Sequence, residues 1–133
     1  MEKSEFRNQF GECVKNLDWV AGFFDGEGCI YYNPSRVHNT VKGKSYSYPA
    51  VQVILAQSGD NGKLLLEAFQ KEYGFGKITS GHGSVLTKQT PYLTRMSGKK
   101  ALLFIKIIEP HLRLKQEKAR NVVATAWEHF FGK

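Results

Sequence analysis

The sequence predicts an α+β domain, because stretches with the apolar spacing of helices alternate with pairs of stretches that have the spacing of strands. In the helical stretches apolar residues recur every three or four positions, and in the strand-like ones they alternate with polar residues. The predicted order is α-β-β-α-β-β-α-α. No linker or low-complexity segment interrupts it, so we expect a single domain over residues 1–133.

Capping and turn residues set the bounds of these elements. Asparagine, aspartate and serine side chains can cap the first three helices, at Asn16 or Asp18, at Ser58 or Asp60, and at Ser97. Gly74 and Pro110 end the second and third helices. Polar residues 38–45 and the glycines at 81 and 83 are typical of hairpin turns. The predicted elements are a helix over Leu17–Asp25, strands at Cys29–Val37 and Tyr46–Gln57, a helix up to Gly74, strands at Phe75–Ser80 and Val85–Met96, a helix reaching Ile108, and a helix over Lys115–Phe131.

The composition is that of an ordinary globular protein. Hydrophobic residues make up 41% of the chain and charged residues 23%, which argues against disorder. Cys13 and Cys29 are isolated, so neither a disulfide framework nor a zinc site is expected. The longest apolar stretch, near Ala101–Ile108, is too short to cross a bilayer, and the N-terminus lacks a signal-peptide core. We expect an intracellular protein without a membrane partner, in the cytoplasm or in an organelle that contains DNA.

The charge favours a polyanionic partner. Lysine and arginine number 19 against 12 aspartates and glutamates, which leaves a net charge of +7. Each phosphate that such a protein neutralises releases condensed counterions, so nucleic acid matches the surplus well. Many basic proteins bind no nucleic acid, so the charge does not decide the function by itself.

Residues 20–28, VAGFFDGEG, combine small, aromatic and acidic residues at the end of the first helix. The small residues let a second copy of the helix approach backbone to backbone, while Phe23 and Phe24 point into the chain's own core. The terminal glycines put Glu27 at the tip, so two such helices bring two Glu27 carboxylates together. The predicted helix-pair interface consists of Ala21, Gly22, Asp25 and Gly26. The alternative is a buried helix with a glycine C-cap and a solvated Glu27.

This segment closely resembles the LAGLIDADG motif of homing endonucleases, with Val20 at the first position and Glu27 at the last acidic one. The resemblance implies the α-β-β-α-β-β-α fold, in which two hairpins form a saddle for the major groove of double-stranded DNA. It also implies a Mg²⁺-dependent endonuclease that leaves short 3′ overhangs, with the metal at Glu27 and Gly26 and Ca²⁺ as a non-cleaving substitute. The motif occurs once, so a second copy of the chain has to supply the second helix, in a homodimer.

Two further positions resemble the active site of single-motif, intron-encoded members. Residues 110–116, PHLRLKQ, match a segment whose second basic residue acts on the scissile phosphate or its attacking water, a role that would fall on Lys115. Gln57 stands where the family has a glutamine that orders active-site water. Four residues later those members have an arginine, but this chain has Asn61, with Lys63 nearby as a substitute. The alternative for Lys115 is an ordinary surface lysine at a helix start.

Strand parity assigns the expected DNA contacts. If Val51, Val53 and Leu55 face the core, the residues between them face the groove. A polar and aromatic face suits contacts with base edges, and basic loop residues suit phosphates. The alternative is a sheet covered by the C-terminal helix. The expected DNA-binding residues are Tyr31, Asn33, Ser35, His38, Lys42, Lys44, Tyr46, Tyr48, Gln52, Ile54, Lys77, Thr79, Tyr92 and Thr94.

Three residues do not follow the alternation. Pro34 and Pro49 fit an edge or a bend of a strand. Arg95 breaks the alternation of its strand, and its face is left open.

Three classes of function remain at this stage. The first is a site-specific DNA endonuclease with a long pseudopalindromic target. The second is a binding module with the same fold, either an intron-splicing maturase on RNA or a DNA-binding regulator that has lost cleavage. Asn61 favours this second class, and the retained acid at Glu27 argues against it. The third is a basic interaction protein whose motif match is accidental.

Overall fold

The structure confirms the predicted α+β architecture and adds an N-terminal helix. A computed structural model of the chain describes residues 3–81 and 89–132. The helices in these ranges are α1 (Lys3–Cys13), α2 (Leu17–Glu27), α3 (Gly59–Tyr73), α4 (Gly98–Ile108) and α5 (Gln116–Phe131), with a short 3-10 turn at Glu109–His111. The strands are β1 (Gly28–Asn39), β2 (Ser45–Ser58), β3 (Thr79–Ser80) and β4 (Pro91–Ser97).

Local signals account for two of the helix ends, whereas Ser58 and Ser97 stand at the N-caps of α3 and α4 without a side-chain cap hydrogen bond. The Asn16 side chain accepts a hydrogen bond of 3.0 Å from the Trp19 backbone N–H, so Asn16 is the N-cap of α2. Gly74 ends α3 in the left-handed conformation, at φ 79° and ψ 30°. Helix α1 was missed because none of its residues is buried, and it therefore has no continuous apolar stripe. Among the described helices, none has the length and the apolar character of a membrane span.

One antiparallel sheet, in the order β1-β2-β4-β3, holds the domain together. The second hairpin is shorter than predicted. Phe75 is a buried core residue before β3 rather than the start of a strand, because its side chain packs between Phe69 and Phe104. Strand β4 begins at Pro91. The predicted strand residues 85–88 and the turn glycine at 83 lie outside the described residues.

The helices cover one face of this sheet. Rows of directly paired residues alternate in burial, and the row of Ile30, Val53 and Met96 is buried across β1, β2 and β4. Aromatic side chains from α2, α3 and α4 fill the space above these rows. The opposite face carries exposed side chains such as Tyr31 and Arg95 and is open. This open face and the end of α2 carry most of the residues that the sequence predicts to be functional.

Candidate active site and nucleic-acid surface

Glu27 is the last residue of α2, and its side chain is exposed. The chain passes from helix to strand without a loop, because β1 starts at Gly28. A Cβ at Gly28 would lie 2.2 Å from Cδ2 of Phe24, so no other residue fits between the helix and the strand. The Gly28 N–H also donates to the carbonyl of Phe24. Glu27 is thus held at the junction by local packing.

Lys115 reaches the same end of α2 from the far end of the chain. Its Nζ donates a hydrogen bond of 2.5 Å to the backbone carbonyl of Asp25. The last carbonyls of a helix have no partner within the helix, so they attract cations. The predicted active-site lysine therefore binds α2 at Asp25, two residues before Glu27.

Asp25 does not face outward as predicted for an interface residue. It is 9% exposed, and its carboxylate accepts hydrogen bonds from the backbone N–H groups of Arg113 (2.7 Å) and Lys115 (2.9 Å). The prediction placed it on the helix pair because of its position in the motif. Burial against residues 113–115 of the same chain overrides that position.

Ala21 is also turned inward. Its side chain is fully buried in the chain's own core, so the prediction that it faces a second helix is wrong. The exposed stripe of α2 runs instead through Asp18, Gly22 and Gly26, at intervals of four residues. Among the described residues, no atom outside the backbone of α2 itself lies within 4 Å of a Cβ built at Gly22 or at Gly26. Two of the four predicted interface residues thus remain on an open helix surface.

Gln57 lies at the same end of the sheet as Glu27. Gly28 pairs with Leu55, and Gln57 follows two residues later, opposite Tyr92. The N-terminal turn of α3 packs tightly on it, since a Cβ at Gly62 would lie 2.8 Å from Cβ of Gln57. Lys63, considered as a substitute for the missing arginine, points its Nζ toward the Tyr92 ring, 5.6 Å from the ring centroid.

The tip of α2 offers oxygen ligands, which suit a hard divalent cation. They are the exposed Glu27 carboxylate and the backbone carbonyl of Gly26. Within residues 3–81 and 89–132, no three histidine, cysteine, aspartate or glutamate side chains come together as a metal site. This donor set fits part of the coordination shell of Mg²⁺, and further ligands would have to come from water, phosphate or a second chain.

A register shift in β1 re-aims the side chains of the open face. The pairing of β1 with β2 is interrupted between Asn33 and Arg36. Asn33 turns its side-chain oxygen back to the Ser35 backbone N–H (3.0 Å), and Pro34 has no N–H to offer the ladder. Beyond the shift, Arg36 pairs with Tyr48, so the open-face position predicted for Ser35 belongs to Arg36.

His38 lies in a strand and not in the loop as predicted. It pairs with Tyr46, and the two ring centroids are 5.2 Å apart on the open face. The Tyr46 ring in turn lies 6.0 Å from that of Tyr48. The loop itself is shorter, covers residues 40–44, and turns at Gly43 with φ 79°. Lys42 and Lys44 lie in this loop and are exposed.

In β4 the predicted faces are reversed. Thr94 is fully buried, pairs with Leu55 and donates to the carbonyl of Gly76 (2.7 Å). Tyr92 has the same parity and packs against the core. Arg95, which the sequence left unassigned, pairs with Ile54 and is exposed on the open face. The signal was Met96, because an inward methionine requires an outward residue before it.

The remaining expected DNA-binding residues lie on or beside the open face. Tyr31 pairs with Gln52, which pairs with Ser97, so these three side chains form one row. Thr79 pairs with Leu93 and is exposed, as is Lys77 just before β3. The open face therefore bears aromatic, polar and basic side chains, which is an unusual surface for contact with water alone.

Solved structures of homing endonucleases are similar to this chain. The homing endonuclease I-TnaI is 25% identical, with 82% of this chain and 71% of that chain aligned at a TM-score of 0.59. The I-SmaMI LAGLIDADG homing endonuclease bound to cleaved DNA is 13% identical, with 87% of this chain aligned at a TM-score of 0.62. The LAGLIDADG meganuclease I-AabMI bound to uncleaved DNA is 18% identical, with 86% aligned at 0.58. The chain spans 37% of the I-SmaMI chain and 38% of the I-AabMI chain. No protein-family model and no curated protein sequence matches it.

Proposed function

We propose that this chain, which has the fold and the motif of the LAGLIDADG homing endonucleases, cleaves double-stranded DNA at a specific site. The proposed enzyme is a homodimer that uses Mg²⁺ to hydrolyse phosphodiester bonds and leaves short 3′ overhangs. One observation carries the proposal above all. The amino group of Lys115 binds the backbone carbonyl of Asp25, two residues before the exposed Glu27 at the end of α2, although Lys115 and Glu27 are far apart in the sequence.

Each residue at this helix end has a proposed chemical role. Glu27, with the carbonyl of Gly26, would hold Mg²⁺, which supplies charge stabilisation of the phosphate and activation of water. Lys115 offers a positive charge to the oxygens of the scissile phosphate or to the attacking water. Gln57 has a side-chain amide that can donate to and accept from that water, which would orient it.

The proposed homodimer is supported by the number of carboxylates that one chain brings to the end of α2. Of the two acids at the end of α2, Glu27 is exposed and Asp25 is buried, so each chain brings the Glu27 carboxylate to the site. Metal-dependent cleavage of two strands would require two such centres. The open surface at Gly22 and Gly26 allows two copies of α2 to pack backbone to backbone. In that arrangement the two Glu27 residues would lie side by side.

The open sheet face is proposed as the DNA-binding surface. Strands β1 and β2 have 12 and 14 residues, and at roughly 3.3 Å per residue each exceeds the pitch of one turn of DNA. Two chains would therefore cover about twenty base pairs, in a pseudopalindrome that matches the two-fold axis. Arg36 and Arg95 join the proposed contacts, and Ser35, Tyr92 and Thr94 leave them.

A cleavage assay with two active-site variants tests the proposal. The protein is incubated with Mg²⁺ and a library of DNA sites, and binding is measured separately in Ca²⁺. Glu27→Gln should abolish cleavage while binding survives, because the shape is kept and the metal-binding charge is lost. Lys115→Met should slow single-turnover cleavage by about 10²–10⁴. Glu12→Gln and Lys118→Met, which change exposed residues of the same types, are the matched controls.

The outcome also separates the alternative function. Asn61 at a position that is usually basic favours a relative that binds nucleic acid without cutting it. A wild-type protein that binds one DNA or RNA sequence tightly in both metals and never cleaves would support that alternative. Full cleavage by Glu27→Gln would refute the active-site assignment in either case.

A further inference from the structure

We infer that Asp25 is a positioning residue for Lys115, and that its buried carboxylate fixes the lysine amino group at the active-site end of α2. The inference rests on the proposed function, in which Lys115 acts on the phosphate or the attacking water. Asp25 itself touches neither. Its proposed contribution is to set where the lysine can be.

The carboxylate binds the backbone of the segment that carries the lysine. Oδ2 accepts from the Arg113 N–H at 2.7 Å, and Oδ1 accepts from the Lys115 N–H at 2.9 Å. Each oxygen therefore has its own donor, and the group is 9% exposed. In this structure each N–H group has its own carboxylate oxygen, whereas an asparagine would place its NH₂ group, a donor, against one of the two N–H donors. Both hydrogen bonds are charge-assisted, because the acceptor is a carboxylate.

The side chain of the lysine returns to the same residue. Nζ of Lys115 donates to the backbone carbonyl of Asp25, while its own N–H donates to the Asp25 side chain. The main chain and the amino group of one residue are thus both bonded to one partner. This closes a ring that restricts the otherwise flexible lysine side chain to few conformations. An amino group held in this way approaches the phosphate with little loss of entropy.

Other contacts already attach the same segment to the domain. Leu112 is fully buried, Nδ1 of His111 lies 2.7 Å from Oδ1 of Asp18, and Glu109 pairs with Arg120. The segment would therefore stay docked without Asp25. What Asp25 adds is the local direction of the backbone at residues 113–115, and hence the position of Nζ.

A double-mutant cycle distinguishes positioning from general stability. Asp25→Asn should slow single-turnover cleavage by about 10–10² while the DNA Kd in Ca²⁺ changes by less than about threefold. The Asp25→Asn/Lys115→Met double variant should cleave at the rate of Lys115→Met alone, within about twofold, because the lysine is no longer there to be positioned. Glu109→Gln, which weakens another attachment of the same segment, should cleave like the wild type. A double variant that is slower by the product of the two single effects would overturn the inference.

A second pair of variants changes the donor of the hydrogen bond, Arg113, and leaves the Asp25 carboxylate intact. This pair tests the inference even if Asp25→Asn fails to fold. Arg113→Pro removes the backbone N–H that donates a hydrogen bond to Oδ2 of Asp25. Arg113→Ala removes the same side chain but keeps this N–H. Leu112 already has the extended conformation, φ −73° and ψ 152°, that a residue before proline adopts. Arg113→Pro should cleave at least about tenfold more slowly than Arg113→Ala. Equal rates would contradict the proposed role.

Amide hydrogen exchange gives a readout that does not depend on cleavage. In the wild type the N–H groups of residues 113 and 115 should be protected, and Asp25→Asn should remove that protection while Glu109→Gln preserves it. Unchanged protection in Asp25→Asn would overturn the inference. If the wild type cleaved no DNA at all, the proposed function would fail, and the exchange data would then decide the inference about Asp25 separately.

Discussion

Arg36 lies directly across the β1–β2 hairpin from Tyr48, on the face of the sheet that none of the described helices covers. The register shift after Asn33 creates this pairing, because a regular ladder would put Ser35 there. An arginine has a fork of donors that can bind O6 and N7 of guanine together, whereas a serine hydroxyl binds either kind of base edge. The shift therefore changes what this part of the surface can recognise.

The first prediction concerns sequence readout by Arg36. Arg36→Ala should relax the preference at one base pair in each half-site, by about 1–3 kcal/mol if the contact is bidentate. Ser35→Ala should leave the preference unchanged. Competition binding against a panel of single-base variants measures both. An equal loss of affinity for every sequence in Arg36→Ala would mean that the residue contacts phosphate and not a base.

The second prediction concerns assembly. A leucine at Gly22 fits the single chain, because no atom lies within 4 Å of a Cβ built there, but it blocks a second helix from close approach. Gly22→Leu should therefore fold, gain about 0.5–1 kcal/mol from helix propensity, and sediment as an inactive monomer. Gly11→Leu, at an equally open glycine of α1, should remain a dimer. Wild-type monomers on cognate DNA would contradict the dimer.

The third prediction concerns the salt dependence of binding. A dimer would carry a formal charge of +14 (7 + 7). If it contacts six or more phosphates, affinity should fall by about 10³ or more between 50 and 200 mM salt. Replacing both Lys42 and Lys44 with glutamine removes two lysines from each of the two chains, so it should reduce the slope of log affinity against log salt by about four. Lys71→Gln, on α3 and therefore away from the open sheet face, should leave the slope unchanged. An affinity of the wild type that hardly depends on salt would mean that the basic residues are not the DNA-binding surface.

The fourth prediction concerns stability at alkaline pH. The Tyr73 hydroxyl donates to the carbonyl of Val14 at 2.6 Å. Burial, and then the charge of Glu72, raise the pKa of Tyr73 above its ordinary value. Its contribution to stability is therefore complete below about pH 10 and is lost as the pH rises through the folded-state pKa. Tyr73→Phe should cost about 0.5–1.5 kcal/mol at pH 8 and less above pH 10, as measured by urea unfolding. The same difference at both pH values would contradict this coupling.

Features that depend on neighbouring residues were predicted correctly. Asn16 as a helix cap, Gly74 as a helix end and Glu27 at the tip of its helix were all predicted, because each depends on neighbours within a few positions. The faces of β4 and the end of β1 were predicted wrongly. In β1 the register shift after Asn33 moves every later side chain to the other face. In β4 the ladder is regular, and the buried Met96 shows which of its residues face outward.

The sequence by itself determined the element order from α2 onward, the motif helix with its terminal acid, and the basic character of the protein, since these follow from local spacing and composition. Only the tertiary structure decided what the middle of that helix contacts. Ala21 turns into the core, and Asp25 binds a segment 90 residues later in the chain, where it meets Lys115. Burial and hydrogen-bond partners of this kind depend on how distant segments pack together. A helical pattern fixes which residues share a side but not which side the rest of the chain will cover.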